Sequence, residues 1–373
     1  MPMRVAYCTN VAPVSDLDGL VTSLAGLWSD VRRQVGGAAP LGLGLWLPDQ
    51  LAEHLATDAD ARHRLRGALE RHELELVTIN AFPMREFHAP VVKHRVYEPN
   101  WTDQARLDYT LNVARAASDL LPPGSDITLS TLPLLHGKWG ADVLEAVAGR
   151  LVLVALRLAE LEQETGTVVR LALEPEPCCA LETTTETIEF FRQHVDGSGD
   201  RDRIRRHLGV CLDLCHTSVA HEDPLSSLER YAEVGIAVHK IQVSAALEVP
   251  NPGDPAQRAK LAAFEEPRWL HQVGRGPGDV VEDIGLALEA DQAREDLPWR
   301  VHFHVPLHAA EVGGLPTTRA TVERTLSAVA KLPDPPVLEL ETYTWSVVPG
   351  ATTDLASNVA NEIRWVQGRL GSA

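Results

Sequence analysis

The sequence has few basic residues for its length. It carries 34 Lys and Arg against 52 Asp and Glu over 373 residues, which gives a formal net charge of -18. Because proteins that bind nucleic acid neutralise phosphates with Lys and Arg, this balance argues against a nucleic-acid partner. An acidic balance instead favours solubility and the uptake of cations.

Long apolar runs are also missing. The sequence has no stretch of about 18 apolar residues, so we expect no membrane span. The opening residues, MPMRVAYCTN, lack the apolar core of a signal peptide. The five cysteines are odd in number and lack the spacing of a disulfide framework, which indicates reduced thiols. Together these absences predict a cytoplasmic protein.

A dinucleotide-binding motif is absent where it would be expected. No Gly-x-Gly-x-x-Gly follows the first strand candidate, and Gly42 and Gly44 lie inside a strand candidate instead of in a turn. A Rossmann site is therefore poorly supported.

What the sequence does contain is a repeated alternation of short apolar segments with amphipathic stretches such as 141–164 and 321–332. The strand candidates are Arg4–Cys8, Leu41–Leu47, Leu74–Asn80, Ile127–Thr131, Val168–Glu174, Leu208–Asp213, Ala237–Val243, Arg300–Val305 and Val337–Glu341. Several are apolar at nearly every position, which is typical of parallel strands buried on both faces. This pattern predicts an α/β fold, a TIM (β/α)8 barrel, as one domain over residues 1–373. Eight strands make such a barrel, so one of the nine candidates lies outside it, and 127–131 and 300–305 are the weakest.

Two irregular segments follow strand candidates. Residues 83–101 are rich in basic side chains, and residues 244–279 are rich in Pro and Gly. Both are expected to be long loops at the C-terminal face of the barrel, where substrate sites are built.

Polar residues stand at the ends of several strand candidates. The segments are LALEPEP with Glu174 and Glu176, VCLDLCH with Asp213 and His216, HKIQVS with Lys240 and Gln242, VHFHVPLH with His302 and His304, and LELETYT with Glu341 and Tyr343. Because the last inward side chain of each barrel strand points toward the axis, these residues are expected to converge.

The carboxylates in this set suggest a metal. Glu174, Asp213 and Glu341 would repel one another if buried together, and a divalent cation removes that cost. Oxygen ligands with one imidazole suit Mg²⁺, Mn²⁺, Co²⁺ or Zn²⁺. Any one of these carboxylates alone would more commonly cap a helix. A zinc cluster of Cys211, Cys215 and His216 is an alternative with non-standard spacing.

These motifs resemble the xylose isomerase-like TIM-barrel superfamily, which includes sugar-phosphate isomerases and epimerases and endonuclease IV. The resemblance rests on LEP at Glu174, DxxH at Asp213 and His216, and LELE-TYT at Glu341. It implies metal ligands at Glu174, Asp213 and Glu341. The family usually has His on the seventh strand, where this sequence has Gln242, and His304 or His302 is expected to compensate.

The resemblance is closest to the EboE branch of metabolite traffic proteins, named for gene clusters that move or process secondary-metabolite precursors. It rests on YCTN at 7–10, TINAFP at 78–83, VKHRVYEPNW at 92–101, STLPL at 130–134 and VHFHVPLH at 301–308.

Three functional hypotheses follow. The first is an isomerase or epimerase of a sugar, a sugar phosphate or a cyclitol, with Glu174 and Glu341 as proton-transfer groups and His216 contacting the substrate. The residues expected to bind substrate are Glu176, Lys240, His302, Arg85 and Tyr343, and those expected to bind metal are Glu174, Asp213, Gln242, His304 and Glu341. The second is a hydrolase of the endonuclease IV type, and the third is a binding protein without catalysis. Since many relatives form dimers, a homodimer is also expected.

Overall fold

The computed structural model describes residues 3–197, 199–289, 297–350 and 352–371. Its centre is a closed barrel of eight parallel strands in the order β1-β14-β7-β6-β5-β4-β3-β2. The barrel strands are β1 (Val5–Cys8), β2 (Leu41–Trp46), β3 (Leu74–Asn80), β4 (Asp126–Thr131), β5 (Val168–Leu173), β6 (Leu208–Asp213), β7 (Val238–Val243) and β14 (Val337–Leu340). The prediction of a TIM barrel is confirmed, and the weak candidate at 127–131 is a barrel strand.

Helices lie between the strands, and most of them cover the outside of the barrel. They are α1 (Leu17–Ser23), α2 (Ser29–Val35), α3 (Asp49–Thr57), α4 (Ala59–Arg71), α5 (Gln104–Leu120), α6 (Ala141–Thr165), α7 (Thr184–Phe190), α8 (Arg201–His207), α9 (Leu214–Val219), α10 (Pro224–Glu233), α11 (Pro255–Ala262), α12 (Ile284–Glu289), α13 (Arg319–Val329) and α14 (Leu355–Leu370). The amphipathic stretches 141–164 and 321–332 correspond to α6 and α13. α6 buries Leu151, Val154 and Leu158 on one side, as its apolar spacing of three and four predicts.

The barrel interior holds charged groups in addition to apolar side chains. Every residue of β6 is buried, as expected for a strand covered on both faces. Gly44 of β2 makes room for Glu339 of β14, because a Cβ at Gly44 would lie 1.4 Å from the Glu339 carboxylate. Any larger residue there would displace this buried side chain.

The ninth strand candidate belongs to an insertion between β7 and α13. Here β8 (Leu247–Val249), β9 (Val273–Gly276), β10 (Asp279–Val281) and β11 (Trp299–Val301) form an antiparallel sheet in the order β10-β9-β11-β8, followed by the short hairpin of β12 (Glu311–Val312) and β13 (Leu315–Pro316). The candidate at 300–305 thus contributes only its first two residues to a strand, and that strand lies outside the barrel. Residues 244–279, expected as an irregular loop, contain β8, α11 and β9. Their Pro and Gly residues lie largely in the turns between these short elements.

Residues 83–101 form an irregular loop with a single 3-10 segment at Lys93–Tyr97. The backbone N–H groups of Val92 and Lys93 both donate to the carbonyl of Arg268, at 2.7 and 2.8 Å. The ammonium of Lys93 lies 2.5 Å from the carboxylate of Asp283. The loop is therefore fastened to the insertion.

Among the described residues, no helix is both long and apolar enough to cross a membrane. Cys8, Cys178, Cys179, Cys211 and Cys215 are free thiols.

Candidate metal centre at the barrel mouth

Three carboxylates from distant parts of the chain meet at the C-terminal end of the barrel. Glu174 follows β5, Asp213 ends β6, and Glu341 follows β14. One oxygen from each lies within 4.8 Å of the others, and all three side chains are buried. The convergence follows from the parallel barrel, in which the carboxyl ends of all strands share one mouth.

The electrostatics of this group favour a bound cation. Burial, followed by the charges of Glu341 and Asp213, raises the pKa of Glu174 well above its usual value. Burial, with the charges of Glu339 and Asp213, raises the pKa of Glu341 to about 8. Glu174 Oε2 and Asp213 Oδ2 are buried and have no hydrogen-bond partner among the described residues. Buried oxygens without partners are costly, and a metal ion would satisfy them.

Asp213 also caps the N-terminus of α9. Helix capping, the common role of a carboxylate at a strand end, therefore accounts for one of its two oxygens. Oδ1 accepts a hydrogen bond from the backbone N–H of His216 at 2.7 Å and one from the hydroxyl of Ser244 at 2.8 Å. Oδ2 takes no part in the cap. The cap fixes the carboxylate orientation and leaves Oδ2 available as a ligand.

Two asparagines that the sequence reasoning missed position Glu341. The side-chain amides of Asn10 and Asn80 donate to Glu341 Oε1 at 2.7 and 2.8 Å. Asn10 follows β1 and Asn80 ends β3. Both are polar residues at a strand end, so the signal that selected the carboxylates could have found them.

Three histidines beside the carboxylates are held in one tautomer. His216 Nδ1 lies 3.0 Å from the carbonyl of Pro175, and His304 Nδ1 lies 2.7 Å from the carbonyl of Glu341. Because carbonyl oxygens only accept, both Nδ1 atoms carry the proton. His302 Nδ1 donates to the amide oxygen of Gln272 at 2.6 Å.

The lone pairs of the three Nε2 atoms consequently face one another. His302 Nε2 lies 3.1 Å from His216 Nε2 and 3.2 Å from His304 Nε2. Burial lowers the pKa of His304 to about 4 and that of His302 well below its usual value, so a proton is a poor bridge. Imidazoles oriented through Nδ1–H are the usual form of metal-bound histidine. Two observations therefore indicate that these histidines can bind a metal ion: their tautomers leave Nε2 unprotonated, and their burial disfavours a proton there.

His304 lies beside the carboxylates, where the sequence reasoning expected it to compensate for Gln242. Its Nε2 lies 4.0 Å from Asp213 Oδ2, and Asp213, His216 and His304 form a potential metal-binding group. His304 does not come from a barrel strand. It lies just after β11, where the N–H of Val305 bonds to the carbonyl of Ala245 at 3.0 Å, close to the end of β7. The insertion thus delivers an imidazole to the end of the seventh barrel strand.

Gln242 lies at the floor of the site, paired in register with Asp213 and Glu339. Its side-chain amide is buried, and neither the oxygen nor the nitrogen has a hydrogen-bond partner among the described residues. It does not line the cavity at the mouth.

Two residues expected to bind substrate are placed elsewhere. Lys240 is fully buried inside the barrel, where it pairs with Glu339 and donates to the hydroxyl of Ser130 at 3.0 Å. It points inward, as its shared parity with Gln242 implies, but lies away from the residues that line the mouth cavity. Arg85 is on the surface, 3.0 Å from Asp49, and lines a separate groove. The alternation of side chains along the strand predicted that Lys240 points into the barrel, but it did not predict how far below the mouth its side chain lies.

Glu176 and Tyr343 do line the cavity. Glu176 Oε1 accepts from the hydroxyl of Tyr97 at 2.7 Å, which connects the 83–101 loop to the site. Burial raises the pKa of Glu176. The ring of Tyr343 packs 4.7 Å from that of His304. Neither Tyr97 nor Gln272, which holds His302, was identified from the sequence.

The alternative zinc cluster of Cys211, Cys215 and His216 does not assemble in the expected combination. Cys215 lies with His302 and His304 in a potential metal-binding group, but Cys211, Cys215 and His216 do not form one among the described residues. Burial raises the pKa of Cys215 well above its usual value, which disfavours the thiolate that binds zinc.

The cavity above the carboxylates is small. It measures about 60 Å³ and is lined by the site residues together with Phe87, Lys93, Val96, Tyr97 and Trp269. A space of this size holds only a few water molecules. Because Phe87 to Tyr97 belong to the 83–101 loop, that loop closes the mouth.

Comparison with known proteins identifies similar folds. The family model described as "Xylose isomerase-like TIM barrel" matches residues 41–273. A solved D-tagatose 3-epimerase-like protein is 11% identical, with 99% of each chain covered and a TM-score of 0.52. A xylose isomerase-like TIM barrel protein from Mycobacterium smegmatis, solved in complex with magnesium, is 11% identical over 100% of this chain and 97% of that one, with a TM-score of 0.55. The IOLI protein, solved with a zinc atom, is 13% identical over 99% and 98%, with a TM-score of 0.51. No curated protein sequence matches the chain significantly.

Proposed function

The chain belongs to the xylose isomerase-like TIM-barrel family, and from this premise we propose that it is a divalent-metal-dependent isomerase or epimerase. Its substrate would be a sugar, a sugar phosphate or a cyclitol-type precursor. The observation that carries the proposal is the buried group of Glu174, Asp213 and Glu341, with His304 beside it. Structurally similar proteins include one named for an epimerase, one solved with magnesium and one solved with zinc, which supports Mg²⁺, Mn²⁺, Co²⁺ or Zn²⁺ as the cofactor.

The residues of the site divide into holders and proton carriers. In the part of the chain that the structure describes, Oδ2 of Asp213 has no hydrogen-bond partner, and Nδ1–H of His304 is bonded to the carbonyl of Glu341, which leaves its Nε2 lone pair for a metal. These two residues therefore act mainly as ligands. A divalent ion held by this donor set would polarise a substrate carbonyl. Glu174 and Glu341 would then supply general base and acid, because both carboxylates line the mouth cavity beside the position of that ion.

Proton transfer between these glutamates and the substrate would account for isomerisation or epimerisation without an outside reactant. One carboxylate removes the proton from the carbon beside the carbonyl and leaves an enediolate. For epimerisation, the other glutamate starts as the carboxylic acid and gives its proton to the same carbon on the opposite face, which inverts that carbon. For isomerisation, the first glutamate gives its proton to the former carbonyl carbon, and the proton of the neighbouring hydroxyl moves to the former carbonyl oxygen, which moves the carbonyl by one carbon. The Nε2 of His216 accepts a hydrogen bond from a substrate hydroxyl, since its Nδ1 proton is committed to Pro175.

Substrate entry requires the 83–101 loop to open. The cavity of about 60 Å³ is too small for a sugar. The closing residues Phe87, Tyr97 and Trp269 are aromatic and would cover the apolar face of a ring and exclude water from the enediolate.

Incubation in D2O with a panel of ketoses, ketose phosphates and cyclic inososes tests the proposal. NMR would detect exchange of the proton next to the carbonyl even where the equilibrium hides net conversion. We expect exchange with one class of substrate and a loss of about 10²-fold or more in Glu174→Gln and Glu341→Gln. Full turnover of an identified substrate by both variants would overturn the proton-transfer roles.

A second candidate, a metal-dependent hydrolase, is favoured by one further observation. Glu176, His216 and His302 form another potential metal-binding group next to the first. Two neighbouring ions are typical of hydrolases that activate water. The number of ions lost when Glu174, Asp213 and His302 are replaced together decides between them: one favours the isomerase and more favour the hydrolase.

The EboE resemblance leads to a third proposal, a metabolite-handling protein of secondary metabolism without turnover. Specific, metal-dependent binding of a polyol without proton exchange in D2O would favour it. The free cysteines fit a cytoplasmic location, which we also propose. A homodimer remains a prediction that light scattering on the purified protein would test.

A further inference from the structure

A second cluster of metal-binding side chains lies outside the barrel mouth. His94 belongs to the 83–101 loop, His136 to the segment after β4, and Glu282 to the turn between β10 and α12. One ligand atom from each lies within 4.8 Å of the others. These residues are distinct from the strand-end carboxylates and histidines and take no part in the proposed proton transfer.

Both imidazoles converge on the same carboxylate oxygen. His94 Nε2 lies 2.9 Å from Glu282 Oε1, and His136 Nε2 lies 3.2 Å from that oxygen. The two rings meet edge to face with centroids 4.9 Å apart. Three donor atoms from three separate segments thus point at one small volume.

His136 supplies an independent indication of a missing partner. Its Nε2 is buried and makes no hydrogen bond within the described ranges, although it lies 3.2 Å from Glu282 Oε1. The ring of Tyr97 packs against the ring of His136, with the centroids 4.8 Å apart and the planes tilted by 31°. Burial also lowers the pKa of His136, which keeps the imidazole neutral and available as a ligand at neutral pH.

We propose that His94, His136 and Glu282 form a second metal site, selective for zinc or a similar borderline cation. Two imidazoles and one carboxylate are a common ligand set for Zn²⁺ and leave a fourth position for water. Two nitrogen ligands among three disfavour Mg²⁺ and Ca²⁺, which prefer oxygen.

The position of the site gives it a role in closing the mouth. His94 is one residue from Lys93, which pairs with Asp283, the neighbour of Glu282. A metal bound here joins the 83–101 loop to the insertion and to the β4 segment at the same point. Tyr97 extends this connection inward, because its ring packs on His136 and its hydroxyl donates to Glu176. Zinc at this site therefore holds the loop in the closed position over the carboxylates.

Zinc counting on matched variants tests the site. The metal-free full-length protein is loaded with Zn²⁺, freed of excess by gel filtration and analysed by elemental analysis. We expect His94→Ala and His136→Gln each to hold one zinc fewer per chain than the wild type. His54→Ala is the matched control, since His54 is also an exposed histidine paired with a carboxylate, Asp58, but has no second imidazole. Equal zinc content in His94→Ala, His136→Gln and wild type would overturn the proposal.

A variant that removes the strand-end ligands separates this site from the proposed function. Glu174→Gln with Asp213→Asn and His302→Ala, which disrupts every potential metal-binding group at the mouth, should still bind one zinc, and X-ray absorption should show nitrogen and oxygen neighbours without sulfur. A complete loss of zinc binding in this folded variant would contradict the second site. Failure of every substrate in the D2O assay, with this zinc retained, would contradict only the isomerase.

Proteolysis gives the readout for loop closure. Trypsin can cut the loop after Arg85, Lys93 and Arg95. In the wild type and in the strand-end variant, zinc should slow cleavage at these residues several-fold, and in His136→Gln it should have no effect. Equal cleavage rates with and without zinc in the wild type would show that the metal does not hold the loop.

Discussion

The carboxylate oxygen Oδ2 of Asp213 lies 4.0 Å from Nε2 of His304, and the two atoms are not hydrogen-bonded to each other. Asp213 ends a barrel strand, while His304 comes from the insertion. Each is oriented from behind, Asp213 by the backbone of His216 and His304 by the carbonyl of Glu341. Two pre-oriented donors at this distance fit a shared ion better than a direct contact.

This arrangement predicts that His304, and not Gln242, provides the neutral ligand. His304→Ala should weaken Mn²⁺ or Zn²⁺ binding at the mouth by about 10²-fold or more, because it removes an oriented imidazole. Gln242→Leu, which keeps the volume, should weaken it by less than about tenfold. Calorimetric titration of both variants in a His94→Ala background measures the strand-end site alone. The reverse order of affinities would assign the ligand to Gln242.

The raised pKa of Glu341 predicts proton release on metal binding. Below pH about 8 this carboxyl is protonated in the metal-free protein, and the ion must displace that proton. Affinity should therefore rise with pH up to about 8, by up to tenfold per pH unit for each proton released. Calorimetry in buffers of different ionisation enthalpy counts the protons, and Glu341→Gln should release fewer. A pH-independent affinity between 6 and 8 would contradict the raised pKa.

The same shift predicts how stability depends on pH. Between the usual value of Glu near 4.5 and the folded value of about 8, the folded state holds a proton that the unfolded state has lost. The contribution of Glu341 to the free energy of unfolding therefore falls as pH rises through this window, by up to about 1.4 kcal/mol per pH unit. Urea unfolding of metal-free wild type and Glu341→Gln should give a difference that follows this slope. Saturating metal should remove the slope, because it keeps the carboxylate ionised at no cost.

The ion pair of Lys240 and Glu339 predicts a large stability effect away from the chemistry. Both side chains are fully buried in the barrel, where Glu339 raises the pKa of Lys240 despite burial, which acts in the opposite direction. Lys240→Met should lower the free energy of unfolding by about 3–5 kcal/mol, because it leaves a buried carboxylate without its partner. Adding Glu339→Gln should restore a large part of this loss. Arg157→Met, which breaks a surface pair with Glu160, is the control and should change stability by less than about 1 kcal/mol.

The asparagine contacts of Glu341 predict a positioning role. Asn10→Ala removes one of two amide donors to Oε1 and should reduce metal affinity about 10- to 100-fold without removing a ligand. It should also raise the pKa of Glu341 further, since this hydrogen bond lowers it. A purely structural role would leave the pH profile of binding unchanged, so the profile is the decisive measurement.

The sequence by itself determined the barrel and most of its mouth. Apolar strands alternating with amphipathic helices predict parallel strands with a common carboxyl end, and this alone brings Glu174, Asp213 and Glu341 together. Side-chain parity also gave the inward direction of Lys240. These features are local, because the spacing of apolar residues that is typical of a strand or a helix can be recognised within a short stretch of sequence.

Only the tertiary structure decided which residues complete the site. Parity could not tell that Lys240 stops deep in the barrel against Glu339, because depth depends on the strand tilt and on the space left by Gly44. It could not tell that His304 reaches the end of β7 from an antiparallel insertion, or that Asn10 and Asn80 orient Glu341. The meeting of His94, His136 and Glu282 depends on tertiary packing for the same reason. Contacts between segments far apart in the chain depend on how loops and insertions pack, and no local period encodes that packing.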